Sequence, residues 1–202
     1  MSIETKKLVE TNSIEEESID ISKWVKDLDN SLKLKIEEFS IYENFTKIGN
    51  FKLTNNKRLL WSVDCDSDKK NLYSRYQNGI YIITFNDYII KIGGTKVGME
   101  GRISSYSCGH CIPERVKKNG EHYPGKMSVT NAYIYNTIYY NLFNKKGTFS
   151  LYYYAIDDME VTKNIFGKDC VFKVQCYDEY EKIALNKYKD IIGKYPILSN
   201  NN

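Results

Sequence analysis

Two apolar runs separated by a short polar break constrain this chain more than any other feature. Gly79-Ile80-Tyr81-Ile82-Ile83-Thr84-Phe85 and Tyr88-Ile89-Ile90-Lys91-Ile92-Gly93 are rich in β-branched and aromatic residues, which pack well on a pleated surface. Asn86-Asp87 between them is turn chemistry, so the pair is predicted to form a β-hairpin. Side chains alternate across a strand, and both alternations are apolar here, so a sheet covered on each side is expected. Loop length then decides which residues meet. A two-residue loop pairs Phe85 with Tyr88 and sends Tyr81 and Lys91 to opposite faces. A three-residue loop, Asn86 to Tyr88, pairs Phe85 with Ile89 and puts both on one face. We adopt the second reading because it gathers polar groups at one place.

Helical signals surround this hairpin. Gly98-Met99-Glu100-Gly101-Arg102-Ile103 leads into a short helix through Tyr106. Residues 130–143 form a further predicted helix, with Ala132, Tyr135, Ile138, Tyr139 and Leu142 on one face. Thr148 to Ile156 alternates like a strand, and a last helix over about 178–192 is closed by Gly193 and Pro196. Upstream, Ser13-Ile14-Glu15-Glu16-Glu17 has the pattern of a capped helix start. Ile19, Ile21, Trp24, Val25 and Leu28 follow at roughly helical spacing, and Leu32, Leu34, Ile36 and Phe39 continue the pattern, in the same helix or a second one. Arg58 to Val63 reads as a short strand. Asp64, Asp66 and Asp68 alternate like a calcium loop but lack its glycine and distal glutamate, so they are read as a solvated turn. The expected fold class is α/β (α+β): a small, mainly antiparallel sheet flanked by helices, with an N-terminal helical extension over 1–70 and the main domain over 71–202.

Composition excludes some classes of function. With 202 residues, 42% apolar and 27% charged, the chain suits an ordinary globular protein with a real core. No apolar run approaches the roughly 20 residues of a membrane helix, and the first residues lack the apolar stretch of a signal peptide, so an intracellular, cytoplasmic protein without membrane contact is expected. A net charge of +3 says little about nucleic acid by itself; Arg115-Val116-Lys117-Lys118 and Lys145-Lys146 are the runs that a basic face would use. Five cysteines, an odd number, argue against a disulfide framework.

On the last helix, Glu181, Ala184, Leu185, Tyr188 and Ile192 share the core-facing stripe, whereas Glu179 and Asp190 sit on other faces. A carboxylate on an apolar stripe is costly unless it is paired or holds a cation. One reading is a carboxylate at the stripe's edge reaching solvent or a lysine. The other is a magnesium ligand, since hard oxygen donors suit that ion.

The order Gly79-Ile80-Tyr81, then Lys91-Ile92-Gly93, then Arg102 on the next helix and Glu181 on the last, resembles the GIY-YIG nuclease pattern. Gly193-Lys194-Tyr195-Pro196 followed by Asn200 is similar to the end of that family's metal-binding helix, and the match runs from about Gly79 to Asn200. Lys91 stands where the family's second tyrosine is usual. That lysine, with Arg102-Ile103-Ser104-Ser105-Tyr106-Ser107-Cys108-Gly109, resembles the subset of GIY-YIG restriction endonucleases. The resemblance implies a metal-dependent DNA endonuclease that cuts both strands of double-stranded DNA at a defined sequence, as a homodimer if its site is palindromic. In that scheme Glu181 would hold Mg²⁺ or Mn²⁺, Arg102 would bind phosphate oxygens, and Tyr81 would take the proton of the attacking water. Lys91 would assist Tyr81 or contact phosphate, while Tyr106 and His110 are nearby candidates. Residues 1–70 would serve dimerisation or DNA contacts. Two alternatives share the fold: a structure- or repair-type nuclease of low sequence specificity, and an inactive DNA-binding protein.

Cys108-Gly109-His110-Cys111 matches a redox tetrapeptide, but Pro113 follows closely and no tryptophan precedes it. A structural zinc site would need Cys108, Cys111, His122 and one of Cys170 or Cys176. Plain loop cysteines are the expectation over either.

Overall fold

The computed structural model describes residues 21–54, 60–106 and 129–199. Its elements in chain order are β1 (Thr46–Leu53), β2 (Trp61–Cys65), α1 (Lys70–Ser74), β3 (Gly79–Phe85), β4 (Tyr88–Thr95), α2 (Gly98–Ser105), α3 (Val129–Phe143), β5 (Phe149–Ala155), β6 (Met159–Ile165), β7 (Lys168–Val174) and α4 (Tyr177–Ile192). Five strands form one sheet in the order β2-β1-β5-β3-β4, with every pairing antiparallel. Strands β6 and β7 make a separate two-stranded ribbon. The fold is α+β, as its sequence pattern predicts.

Both faces of the sheet are covered, and each cover has its own core. On one face Tyr81, Ile83, Phe85, Trp61 and Leu151 pack with Met99 and Ile103 of α2 and Ile134, Tyr135 and Ile138 of α3. On the other, Ile80, Ile82, Ile89 and Ile92 pack with Ala184 and Tyr188 of α4 and with Leu34, Ile36 and Phe39. This sandwich explains why β3 is buried along its whole length.

The hairpin register is the first departure from expectation. Phe85 pairs with Tyr88 across a two-residue turn, with Asn86 and Asp87 at φ 48° and 66°. Such a turn twists with its strands, and Asn and Asp tolerate positive φ, so it displaces the three-residue loop. A register shift follows at once: Thr84 pairs with Ile89 and Ile83 with Lys91, which leaves Ile90 as a bulge. That extra residue returns Lys91 to the face of Tyr81. The grouping is as expected, but a bulge achieves it rather than the loop.

The N-terminal region is the second. Residues 46–65, placed in the helical extension, supply β1 and β2 of the main sheet. Leu34 and Ile36 are two residues apart and both buried, which is strand spacing rather than helix spacing. Ile89 N donates to Leu34 O at 2.9 Å and Ile36 N to Asp87 O at 2.8 Å, so this segment runs beside the hairpin. Among the described residues before β1, only 3₁₀ turns such as Ile21–Trp24 are helical; the expected helix start at Ser13 lies outside the described residues. The aspartate run behaves as a solvated turn, with Asp64 paired to Lys52 at 2.7 Å on the surface. No helix among the described residues is long and apolar enough to cross a membrane.

Candidate active site

Tyr81 sits in the middle of β3 opposite Gly93, and its phenol lies flat across that glycine; a methyl group at Gly93 would collide with the hydroxyl. At the end of β4, Thr95 ties the strand to the next helix. Its hydroxyl donates to Gly98 O at 3.0 Å and accepts from Val97 N at 3.3 Å. Helix α2 therefore starts in a fixed place, and one turn later it delivers Arg102 to Tyr81.

Arg102 Nε donates to the Tyr81 hydroxyl at 3.1 Å, and a terminal nitrogen donates to Ser105 Oγ at 3.3 Å. The guanidinium carbon lies 4.8 Å from the centre of the Tyr106 ring. The Tyr81 and Tyr106 oxygens are 2.5 Å apart and share one hydrogen bond. Burial pushes the Tyr106 phenol well above its ordinary value; neighbouring Tyr81 adds to this and Arg102 partly opposes it. Tyr106 therefore keeps its proton at neutral pH, and either phenol can donate in the pair. Burial alone would weaken the Arg102 charge, but the two phenols, Tyr81 first, more than offset this and raise it. The result is a fixed cation held against two phenols.

Lys91 faces the same side as Tyr81 through its pairing with Ile83, and it is buried. Its ammonium has no hydrogen-bond or ion-pair partner among the described residues, an arrangement that favours an anionic ligand.

Glu181 reaches the strand pair from α4. Its Oε2 lies 2.6 Å from where a Gly94 methyl would be, with the Tyr177 ring equally close, so a side chain at Gly94 would force both to shift. Its carboxylate has no partner among the described residues, whereas Glu179 pairs with Lys182 at 2.6 Å. The stripe behaves as the helical phase predicts: Ala184 and Tyr188 are buried, and Leu185 and Ile192 pack at the core's margin.

Tyr81, Lys91, Arg102 and Tyr106 thus share one face, three of them joined by hydrogen bonds. Glu181 lies over the other side, since Gly94 pairs with Ile80 while Gly93 pairs with Tyr81. The two glycines are consecutive, with Cα atoms about 3.8 Å apart, and β4 is an edge strand. Glu181 and the Tyr81 group therefore lie on opposite faces of the Gly93-Gly94 segment of this edge strand. His110 lies outside the described residues, as do Asn200, Cys108, Cys111 and His122. Among the described residues no three metal-ligating side chains cluster, Cys170 and Cys176 included.

Two features escaped sequence reasoning. Tyr177, one turn before Glu181, shares the space above Gly94. Ser199 accepts from Ile92 N at 2.8 Å and donates to Ile92 O at 2.9 Å, sealing the β4 edge just before the glycine pair. The consecutive glycines were the one available signal for such close approach.

Buried phenols give this fold an alkaline limit. Burial lifts Tyr152, Tyr153 and Tyr188 each to about 12, and lifts Tyr106 well above its usual range. Above about pH 10 these groups ionise in the unfolded chain but keep their protons when folded, so stability is present below that pH and falls as pH rises through 12. Melting temperatures measured between pH 8 and 11 should drop steeply only at the upper end; a flat profile would contradict the burial described.

No protein-family model matches the sequence, and no curated protein matches it. The fold is similar to that of restriction endonuclease HPY188I in complex with product DNA, at TM-score 0.53 and 18% identity, covering 93% of this chain and 98% of that one. A second similar structure is that of a bacteriophage T4 EndoII mutant, at TM-score 0.45 and 12% identity, covering 80% and 97%.

Proposed function

We propose that the protein is a divalent-metal-dependent DNA endonuclease of the GIY-YIG type, cutting both strands at a defined sequence. The observation that carries this is the Arg102–Tyr81–Tyr106 hydrogen-bonded cluster, set beside an unpartnered Glu181 across the Gly93-Gly94 edge. A fold shared with a restriction endonuclease seen with product DNA supports it.

In this reading Arg102 keeps its charge and presents its remaining N–H groups to phosphate oxygens. Tyr81 accepts the proton of the attacking water. Its oxygen then receives hydrogen bonds from Arg102 Nε and the Tyr106 hydroxyl, which favours the charged form. Lys91, lacking a protein anion among the described residues, contacts the phosphate from the same face. Glu181 fits a magnesium site. It is a free hard-oxygen donor over a strand with no side chain, and Mg²⁺ commonly takes one or two carboxylates with substrate phosphates and water. A bound ion would there supply charge stabilisation at the leaving oxygen. His110 is a further candidate at this site. A palindromic target would be met by a homodimer, to which the residues before β1 are candidates to contribute.

Gly93→Ala tests the arrangement directly. The methyl must displace the Tyr81 hydroxyl, so cleavage should fall by about 10²-fold, the cost of misplacing a reacting group by roughly an ångström. The class of enzyme is tested with unmethylated phage DNA. Discrete fragments fit a sequence-specific enzyme, whereas a smear would favour a low-specificity nuclease.

A further inference from the structure

The ribbon β6–β7 has no place in the site chemistry, and its construction is unusual. Almost every residue of both strands is exposed, on both faces. Ile165 pairs with Lys168 across a two-residue turn in which Phe166 has φ 51° and Gly167 φ 84°. Turns of this geometry favour Asn, Asp or Gly at the first central position. The chain's own β3–β4 turn follows that preference with Asn86-Asp87. At the ribbon tip an aromatic residue is held in the left-handed region instead, which is strained for a bulky side chain. Packing does not recover that strain, because Phe166 is 105% exposed. Asn164 fixes the tip, donating to Asp169 at 2.8 Å and accepting from Gly167 N at 3.0 Å.

Position and charge point the same way. The ribbon leaves the sheet after β5, whose Ala155 pairs with Gly79, and Gly79 pairs with Thr95 beside the glycine edge. It returns through Cys176 into α4, whose first residue, Tyr177, overlies Gly94. The ribbon therefore springs from the end of the sheet that carries the candidate site. Of its two acids, Asp169 accepts from Asn164, and Glu160 stands opposite Lys173 in the ladder. Lys163 and Lys168 flank the tip on one face and have no anionic partner among the described residues.

We propose that this ribbon is a DNA-reading arm of the endonuclease. It lies along a groove of the duplex, with Lys163 and Lys168 on phosphates and Phe166 set against a base step as an apolar wedge. Two-stranded ribbons enter either groove of DNA, and apolar side chains that wedge base steps from the minor groove are an established way of bending it. The inference rests on the endonuclease reading above.

Phe166→Asn separates function from folding, because asparagine suits the turn better than phenylalanine. Binding is measured on a labelled mixed-sequence duplex carrying a fluorescent base analogue, in EDTA, alongside melting temperature and gel filtration. The variant should melt at the same or a higher temperature. It should bind roughly tenfold or more weakly and lose the fluorescence rise that unstacking gives with the unaltered protein. Lys163→Ala with Lys168→Ala should reduce the slope of log affinity against log salt by about 2, or roughly 0.9 per phosphate contact. If Phe166→Asn binds and cuts like the unaltered protein, the arm is overturned and the nuclease reading stands. If it changes only the oligomeric state, the tip contacts a second copy and the arm is equally overturned. An unaltered protein that neither binds nor cuts DNA would remove both.

Discussion

Arg102→Ala should slow DNA cleavage by about 10²–10³-fold, the usual cost of losing one preorganised donor to a developing charge. The structure makes a stronger demand. Arg102→Lys should not restore the rate, because a lysine cannot both donate to the Tyr81 hydroxyl and lay a planar fork over the Tyr106 ring. Part of the loss comes from Tyr81, whose hydroxyl then keeps, among the described residues, the hydrogen bond it shares with Tyr106. Single-turnover cleavage with saturating enzyme isolates the chemical step from binding. A lysine variant within a few fold of the unaltered enzyme would mean that charge alone suffices, and the geometric role would fall.

The largest effect is expected at Glu181. Glu181→Gln keeps the size of the side chain above Gly94 and the packing of Tyr177 and Ala184, but removes the anionic donor. Cleavage should fall by about 10³-fold or more, equivalent to several kcal/mol of charge stabilisation. Folding should be little changed, because the carboxylate has no partner to lose among the described residues. Raising Mg²⁺ should recover part of the rate if weaker ion binding is the cause. Glu179→Gln is the control: its side chain makes a surface pair with Lys182, and such pairs contribute about 0–1 kcal/mol. Equal losses in the two variants would break the assignment of Glu181.

Residues whose pattern reflects burial were legible in the sequence. Strands β3 and β4 and helices α2 to α4 follow directly from β-branched runs and helical stripes, and the phase of α4 selects Glu181 over Glu179. What was hidden came from irregularities that periodicity cannot encode. The bulge at Ile90 preserved the grouping of Tyr81 with Lys91 while changing how it arises. Strand β1 escaped because its register shifts between Lys47 and Gly49, so its buried Ile48 and Phe51 are three residues apart instead of two. The ribbon escaped because a strand exposed on both faces has no burial alternation to read. Tyr106 was legible only as a neighbour of Arg102; its contact with Tyr81 needs the helix and strand brought together.

The central claim is tested most directly by incubating the purified protein with supercoiled plasmid and unmethylated phage DNA, in Mg²⁺ and in EDTA. The account predicts cleavage that requires Mg²⁺ and disappears in Arg102→Ala and Glu181→Gln. DNA left intact on every substrate, but retarded equally with and without EDTA, would contradict it and leave a binding protein on a nuclease fold.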